Sequence, residues 1–225
     1  MRSDASTGCA GPSGSEPAVT ATASAAAVAP TDLRHLVRVY DADLPGGFCT
    51  RLVQSFHALE RLQQRNGRGV RAGLDESAWT ELDLGRHADA EFLGFFRHRI
   101  SGGLARYNRD VSLPMPVPDS PLLAPLILKR YAADGAERFQ LHFDSVNGVC
   151  DRYLVFLWYL NDVRDAGQTS FPLLDLHVAP RAGRLLMFPP YWMFAHEGRA
   201  SPTQDKYILS TYLRFPSPLR SGASP

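Results

Sequence analysis

The sequence predicts a mainly β domain of the α+β class, an antiparallel sandwich or barrel with two helices packed outside it. Three observations carry the prediction. From about residue 126 onward, short apolar runs recur between Gly, Asp and Pro, with no helix-length periodic segment among them. Ahead of that region lie two stretches with apolar residues at helical spacing. The chain has 225 residues, 44% of them hydrophobic, which suits one domain with a substantial core.

The elements follow in order. Residues 1–30 are dominated by Ala, Ser, Thr, Gly and Pro, with no Leu, Ile or aromatic residue. Such a segment buries too little apolar surface to offset its ordering entropy, so a disordered tail is expected. The run TATASAAAVA is weakly hydrophobic and follows Asp4 and Glu16, which favours a tail over a signal peptide. The globular domain is expected over 31–216. It begins with a strand in LRHLVRVY (33–40) and continues with an amphipathic helix over 45–65 that carries Phe48, Leu52, Phe56, Leu59 and Leu62. A second helix over 88–107 is expected to break or bend near Gly102-Gly103. Five prolines between Leu113 and Pro125 make an irregular connection. Strands are then expected in LILKRY, RFQLHFD, YLVFLWYLND, QTSFP, GRLLMF, around MFAHEG and in KYILSTYLRF, before a fraying tail at 217–225.

Composition narrows the functional classes. The formal charge is +1, with acidic and basic residues interleaved, which argues against a nucleic-acid partner. No stretch approaches 18 apolar residues, so no membrane span is expected. Cys9, Cys49 and Cys150 are odd in number and far apart, which fits a reducing, cytoplasmic setting. Oligomeric state is not legible.

RFQLHFD (138–144) holds the chemistry. As a regular strand it puts Arg138, Gln140, His142 and Asp144 on one face and Phe139, Leu141 and Phe143 on the other. His142 and Asp144 would leave that face about 7 Å apart, close enough to share a metal at ligand distances of about 2 Å. His196, 54 residues later (196 − 142), lies where a closing strand would bring it alongside. Two imidazoles and one carboxylate leave open positions on a metal, the arrangement suited to non-haem Fe(II) and dioxygen. Lys206, ten residues after His196, shares a strand face with Ile208, Ser210 and Tyr212. If that face is interior, its ammonium calls for a bound dicarboxylate as partner. His35, His57, His87 and His98 lie among charged neighbours and read as surface residues. His177, beside a Pro-bounded loop, reads as solvent-facing, with a role as alternative ligand kept open.

From Leu33 to Phe215 these pieces together resemble the prolyl 4-hydroxylase-type branch of the Fe(II)/2-oxoglutarate-dependent dioxygenases. The matching segments are RY at 130–131, HFD at 142–144, YLND at 159–162, GQTSFP at 167–172, GRLLMF at 183–188 and HEGRASPTQDKYIL at 196–209. The resemblance implies a jelly-roll (double-stranded β-helix) core and iron held by His142, Asp144 and His196. It implies 2-oxoglutarate held by Lys206 with hydroxyl contacts from Tyr159, Tyr131 and Thr169, O₂ as cosubstrate, and ascorbate as an accessory reductant. The family's usual Gly-Gly pair is here Ala166-Gly167. Since Asp144 is present, hydroxylation is expected rather than halogenation. The polar face of 138–144 should then look into the barrel mouth, with Phe139, Leu141 and Phe143 packed outward beneath the helices. A peptide, prolyl or otherwise, or a small molecule is the expected substrate, with Arg138, Gln140, Tyr191 and Trp192 as candidate contacts. Two other classes use the same ligands: a zinc-dependent hydrolase or isomerase, and a jelly-roll binding module without turnover.

Overall fold

A computed structural model describes residues 32–216; both predicted tails lie outside the described residues. Eleven strands form two antiparallel sheets. They are β1 (Arg38–Tyr40), β2 (Gln64–Gly67), β3 (Ala78–Asp83), β4 (Ile127–Tyr131), β5 (Phe139–His142), β6 (Arg152–Tyr159), β7 (Thr169–Phe171), β8 (Leu176–Val178), β9 (Leu185–Phe188), β10 (His196–Gly198) and β11 (Lys206–Arg214). The major sheet has the order β1-β9-β6-β11-β4-β3-β2 and the minor sheet β5-β10-β7-β8. Helices α1 (Gly46–Ala58), the single turn α2 (Leu84–His87) and α3 (Ala90–Val111) complete the fold. The mainly β jelly-roll prediction holds, with helices on one face of the larger sheet.

Period-two alternation in the central strands explains why both faces of that sheet are buried. In β6, Leu154, Phe156 and Trp158 face the helices and join Phe56, Phe96, Ile100 and Leu104, while Val155, Leu157 and Tyr159 face inward with Ile208, Phe171 and Phe188. Trp158 meets Phe96 edge-on at 5.5 Å and donates its indole N–H to the buried Asp43 at 2.8 Å. Arg106 also bonds Asp43, at 2.6 Å, and thereby ties α3 to β6.

Several boundaries differ from the sequence reading. Residues 33–36 form a 3-10 turn, so the first strand is only Arg38–Tyr40. The first helix stops at Ala58: the apolar spacing continues through Leu59 and Leu62, yet the chain tightens to 3-10 and enters the β2–β3 hairpin, which the sequence reading missed. Gly102-Gly103 does not break the second helix, which runs unbroken to Val111. A Cβ at Gly103 would sit 3.2 Å from the Phe156 ring, so this glycine permits close packing of helix on sheet instead of marking a bend.

The expected facing of 138–144 is also corrected. His196 opposes His142, but Gly198 opposes Phe139, so three steps along β5 match two along β10. This bulge puts Phe139 and His142 on one face, their rings stacked at 3.9 Å. Phe139 therefore lines the interior, stacked on Trp79 at 4.7 Å, while Leu141 is exposed to solvent and covers no helix.

Candidate metal centre and cosubstrate chamber

The bulged β5, the short β10 and the inward face of β11 meet between the two sheets. One ligand atom each from His142, Asp144 and His196 lie within 4.8 Å of one another. The Asp144 carboxylate sits between the imidazoles, its two oxygens each 3.5 Å from an Nε2: Oδ1 from that of His142, Oδ2 from that of His196. Each histidine turns its Nδ1 toward a backbone carbonyl two residues back, His142 to Gln140 at 2.8 Å and His196 to Phe194 at 3.1 Å. A carbonyl can only accept, so Nδ1 carries the proton and the Nε2 lone pair points at the shared centre.

The electrostatics agree. Burial pushes Asp144 toward neutrality, but the two adjoining imidazoles and the Arg152 guanidinium outweigh it and hold the carboxyl well below its ordinary range. Burial, reinforced by His142, lowers His196 to about 4, so it stands as the neutral ligand form. Tyr212 donates its hydroxyl to Asp144 Oδ1 at 2.9 Å. The backbone amides of Asp144 and Ser145 both donate to the Pro190 carbonyl at 3.0 Å, fixing the carboxylate relative to the segment that delivers His196. This set of preset N,N,O donors fits a divalent iron held on one face.

Lys206 is 2% exposed. Its ammonium donates to the carbonyls of Gly167 at 3.1 Å and Arg199 at 2.9 Å and lies 4.5 Å from the centroid of the Tyr131 ring. Burial lowers its pKa to about 7. Of its three donors two are used, and no carboxylate of the described residues lies within ion-pair distance. One chamber joins this cation to the metal triad, bordered by Tyr131, Thr169, Gly198, Ile208 and Ser210. Tyr159 stands a layer behind, its hydroxyl given to Thr169 Oγ1 at 2.6 Å. Gly167, at φ +76°, keeps the turn that the Ala166-Gly167 sequence left open; a Cβ there would lie 3.1 Å from Val163 and 3.5 Å from the lysine stem.

The other predicted residues lie elsewhere. Arg138 is exposed and ion-paired with Glu76; Gln140 accepts from the Glu76 amide at 3.0 Å and donates to the Gly73 carbonyl at 2.9 Å. Both brace the β2–β3 loop. Trp192 is 65% exposed on the turn before His196, and Tyr191 is half-buried against the helix-side core. His177 is exposed on β8, bonded to Ser170 at 3.0 Å and outside the triad. Sequence reasoning missed Tyr212 as the partner of Asp144; the signal was present in its shared face with Lys206. It also missed Gly198, where a Cβ would come within 3.5 Å of the Lys206 ammonium.

Comparison with known proteins places this geometry. Residues 126–214 match the model of the 2OG-Fe(II) oxygenase superfamily. No curated protein matches the chain in sequence. Among solved structures, the chain is similar to a viral collagen prolyl hydroxylase of Paramecium bursaria Chlorella virus-1, solved with 2OG, at 16% identity and a TM-score of 0.56, covering 80% of this chain and 96% of that one. A Pseudomonas putida prolyl-4-hydroxylase matches at 18% identity and 0.59, covering 83% and 96%. A Trichoplax adhaerens prolyl hydroxylase, solved with a hypoxia inducible factor peptide fragment, matches at 17% and 0.63, covering 80% and 84%. The triad and Lys206 all lie inside the segment that matches the family model, on a fold shared with these prolyl hydroxylases.

Proposed function

We propose that the protein couples oxidative decarboxylation of 2-oxoglutarate to hydroxylation of a peptidyl or small-molecule substrate. The observation that carries this reading is Lys206, a buried cation with no carboxylate of the described residues at ion-pair distance, in the same chamber as three metal-ready donors. A zinc hydrolase or a binding module has no use for that lysine.

His142, Asp144 and His196 would hold Fe(II), and the iron with 2-oxoglutarate and O₂ would supply the chemistry: succinate and CO₂ are formed, and one oxygen atom enters a substrate C–H bond. The remaining work belongs to the chain. Lys206 would direct its third N–H at the distal carboxylate of 2-oxoglutarate and neutralise it. Thr169, oriented by Tyr159, would offer a second hydrogen bond, and Tyr131 would close the wall beside the ammonium. Tyr212 would hold Asp144 in its ligating rotamer. Phe139, Phe171 and Phe188 pack around the imidazoles and keep bulk water from the centre.

A peptidyl substrate is supported by the likeness to the Trichoplax enzyme, which was solved with a peptide fragment. Cys49 and Cys150 are both free, which supports a cytoplasmic setting, and no helix among the described residues is long and apolar enough to cross a membrane. The test is succinate release by protein loaded anaerobically with Fe(II), before and after admission of O₂, with mass spectrometry of candidate substrates for a gain of one oxygen. Oxygen-dependent succinate is expected. Tight zinc binding with no turnover of 2-oxoglutarate would refute the proposal.

A further inference from the structure

A second pocket leads from solvent, beside β2 and β3, inward to Asp144. Lys129, Phe139, Asp144, Ser210 and Tyr212 border both this outer pocket and the chamber of Lys206, so a molecule reaching Asp144 from outside passes Lys129. Apart from Asp144, the outer pocket carries the charges of Arg71, Glu81, Asp83, Arg86, Lys129 and Arg152. Two pairs cancel: Arg71 lies 3.7 Å from Glu81, and Arg86 lies 3.3 Å from Asp83. Lys129 and Arg152 remain, each without a carboxylate at ion-pair distance among the described residues.

Both cations rest on aromatic faces instead. The Lys129 ammonium lies 5.4 Å from the Trp79 ring and 5.5 Å from Phe139, which itself stacks on His142. The Arg152 guanidinium lies 4.0 Å from the ring of Tyr212, whose hydroxyl holds Asp144. Glu81 is directly opposite Lys129 in the β3–β4 register, yet its oxygens are taken by Asn66 at 2.7 Å and the Trp79 indole at 2.6 Å. Aromatic faces steady a cation without neutralising it, leaving its N–H groups for an incoming anion. Lys206 already serves the inner chamber, so a second anion is called for on the solvent side of the triad.

We infer that the substrate carries a carboxylate, received by Lys129 and Arg152 at the mouth of the metal chamber while its reacting carbon reaches the triad. This rests on the hydroxylase reading above and specifies its substrate class. Two sources share that chemistry: a free amino acid, and a peptide presenting a C-terminal or side-chain carboxylate.

The test is calorimetric titration under nitrogen of protein loaded with Mn(II) and 2-oxoglutarate. The ligands are a panel of free L-amino acids and short peptides bearing internal Asp or Glu, each beside its carboxamide counterpart. At least one acid is expected to bind about tenfold or more tightly than its amide. Lys129→Met should bring the two within about threefold, and Lys129→Arg should keep the preference. Whether free acids or peptides respond identifies the source. Equal affinity for acid and amide, no binding by any acid, or a Lys129→Met variant that loses 2-oxoglutarate instead overturns the inference. The hydroxylase reading fails separately, by absence of 2-oxoglutarate binding in the unaltered protein.

Discussion

Replacing Lys206 by Met should make the ligand-free protein more stable and the cosubstrate complex far weaker. Burial lowers the ammonium from 10.5 to about 7, so holding it charged at pH 6 costs about 5 kcal/mol at ~1.4 kcal/mol per pH unit. Methionine removes that cost but leaves the Gly167 and Arg199 carbonyls without their donor, a loss of about 1–3 kcal/mol. The net gain is about 2–4 kcal/mol, or a melting temperature higher by roughly 4–16 °C for a chain of this size. On the other side, losing a buried, hydrogen-bonded charge opposite a carboxylate costs about 2–5 kcal/mol, which weakens 2-oxoglutarate roughly 30-fold to a few thousandfold. Thermal melts at pH 6 without ligand, and anaerobic calorimetry of 2-oxoglutarate with Mn(II), read the two effects. Opposite signs from one substitution are the signature of a residue kept for binding at the expense of stability. A variant that melts lower and binds 2-oxoglutarate as before would refute the reasoning.

Three further outcomes follow from the same geometry. Because the folded pKa of Lys206 lies below the unfolded one, the unfolded chain binds the extra proton between pH 7 and 10.5. The penalty is full below about 7 and fades as pH rises. On the role proposed for Lys206, 2-oxoglutarate binds the charged form, so its affinity should fall about tenfold per pH unit above 7, with proton uptake visible in buffers of different ionisation enthalpy; a flat profile from pH 7 to 9 contradicts this. Tyr212→Phe, which deletes only the hydroxyl on Asp144, should lower metal affinity about 10- to 100-fold by equilibrium dialysis while the melt stays cooperative. Gly183 sits at φ +78° with the Leu44 carbonyl 2.1 Å from where a Cβ would stand, so Gly183→Ala should destabilise by about 3 kcal/mol or more in urea unfolding.

The candidate metal centre was legible because each of its parts is a short motif at a fixed spacing. A His and an Asp two apart, a later His, and a Lys ten residues on need only strands to carry or flank them: His142 ends β5 with Asp144 two residues beyond it, His196 opens β10 and Lys206 opens β11. The faces of 138–144 were not legible, because one extra residue against β10 inverts the alternation and nothing in RFQLHFD announces it. Phe139 moved inward for that reason, and Arg138 and Gln140 turned to the β2–β3 loop. That hairpin was itself hidden: QRNG is polar, and Gly67 is required at its turn by the approach of the Ser77 carbonyl, a tertiary fact. Gly103 shows the same limit, since a glycine packed against a sheet looks in sequence like one that ends a helix. Lys129 looked like any polar residue in LILKRY until its strand was placed beside Trp79 and Phe139.

The double hydrogen bond to the Pro190 oxygen has a consequence for how the ion comes and goes. It leashes the carboxylate ligand to a point six residues before the late histidine, and the two prolines at 189–190 allow that point little backbone freedom. The socket is therefore already assembled before any ion arrives. Stripping the protein with a chelator should leave a shaped vacancy that refills without refolding, and a displacement of the 145–150 loop would be passed through the leash to the Tyr191–Trp192 turn on the protein's outer surface.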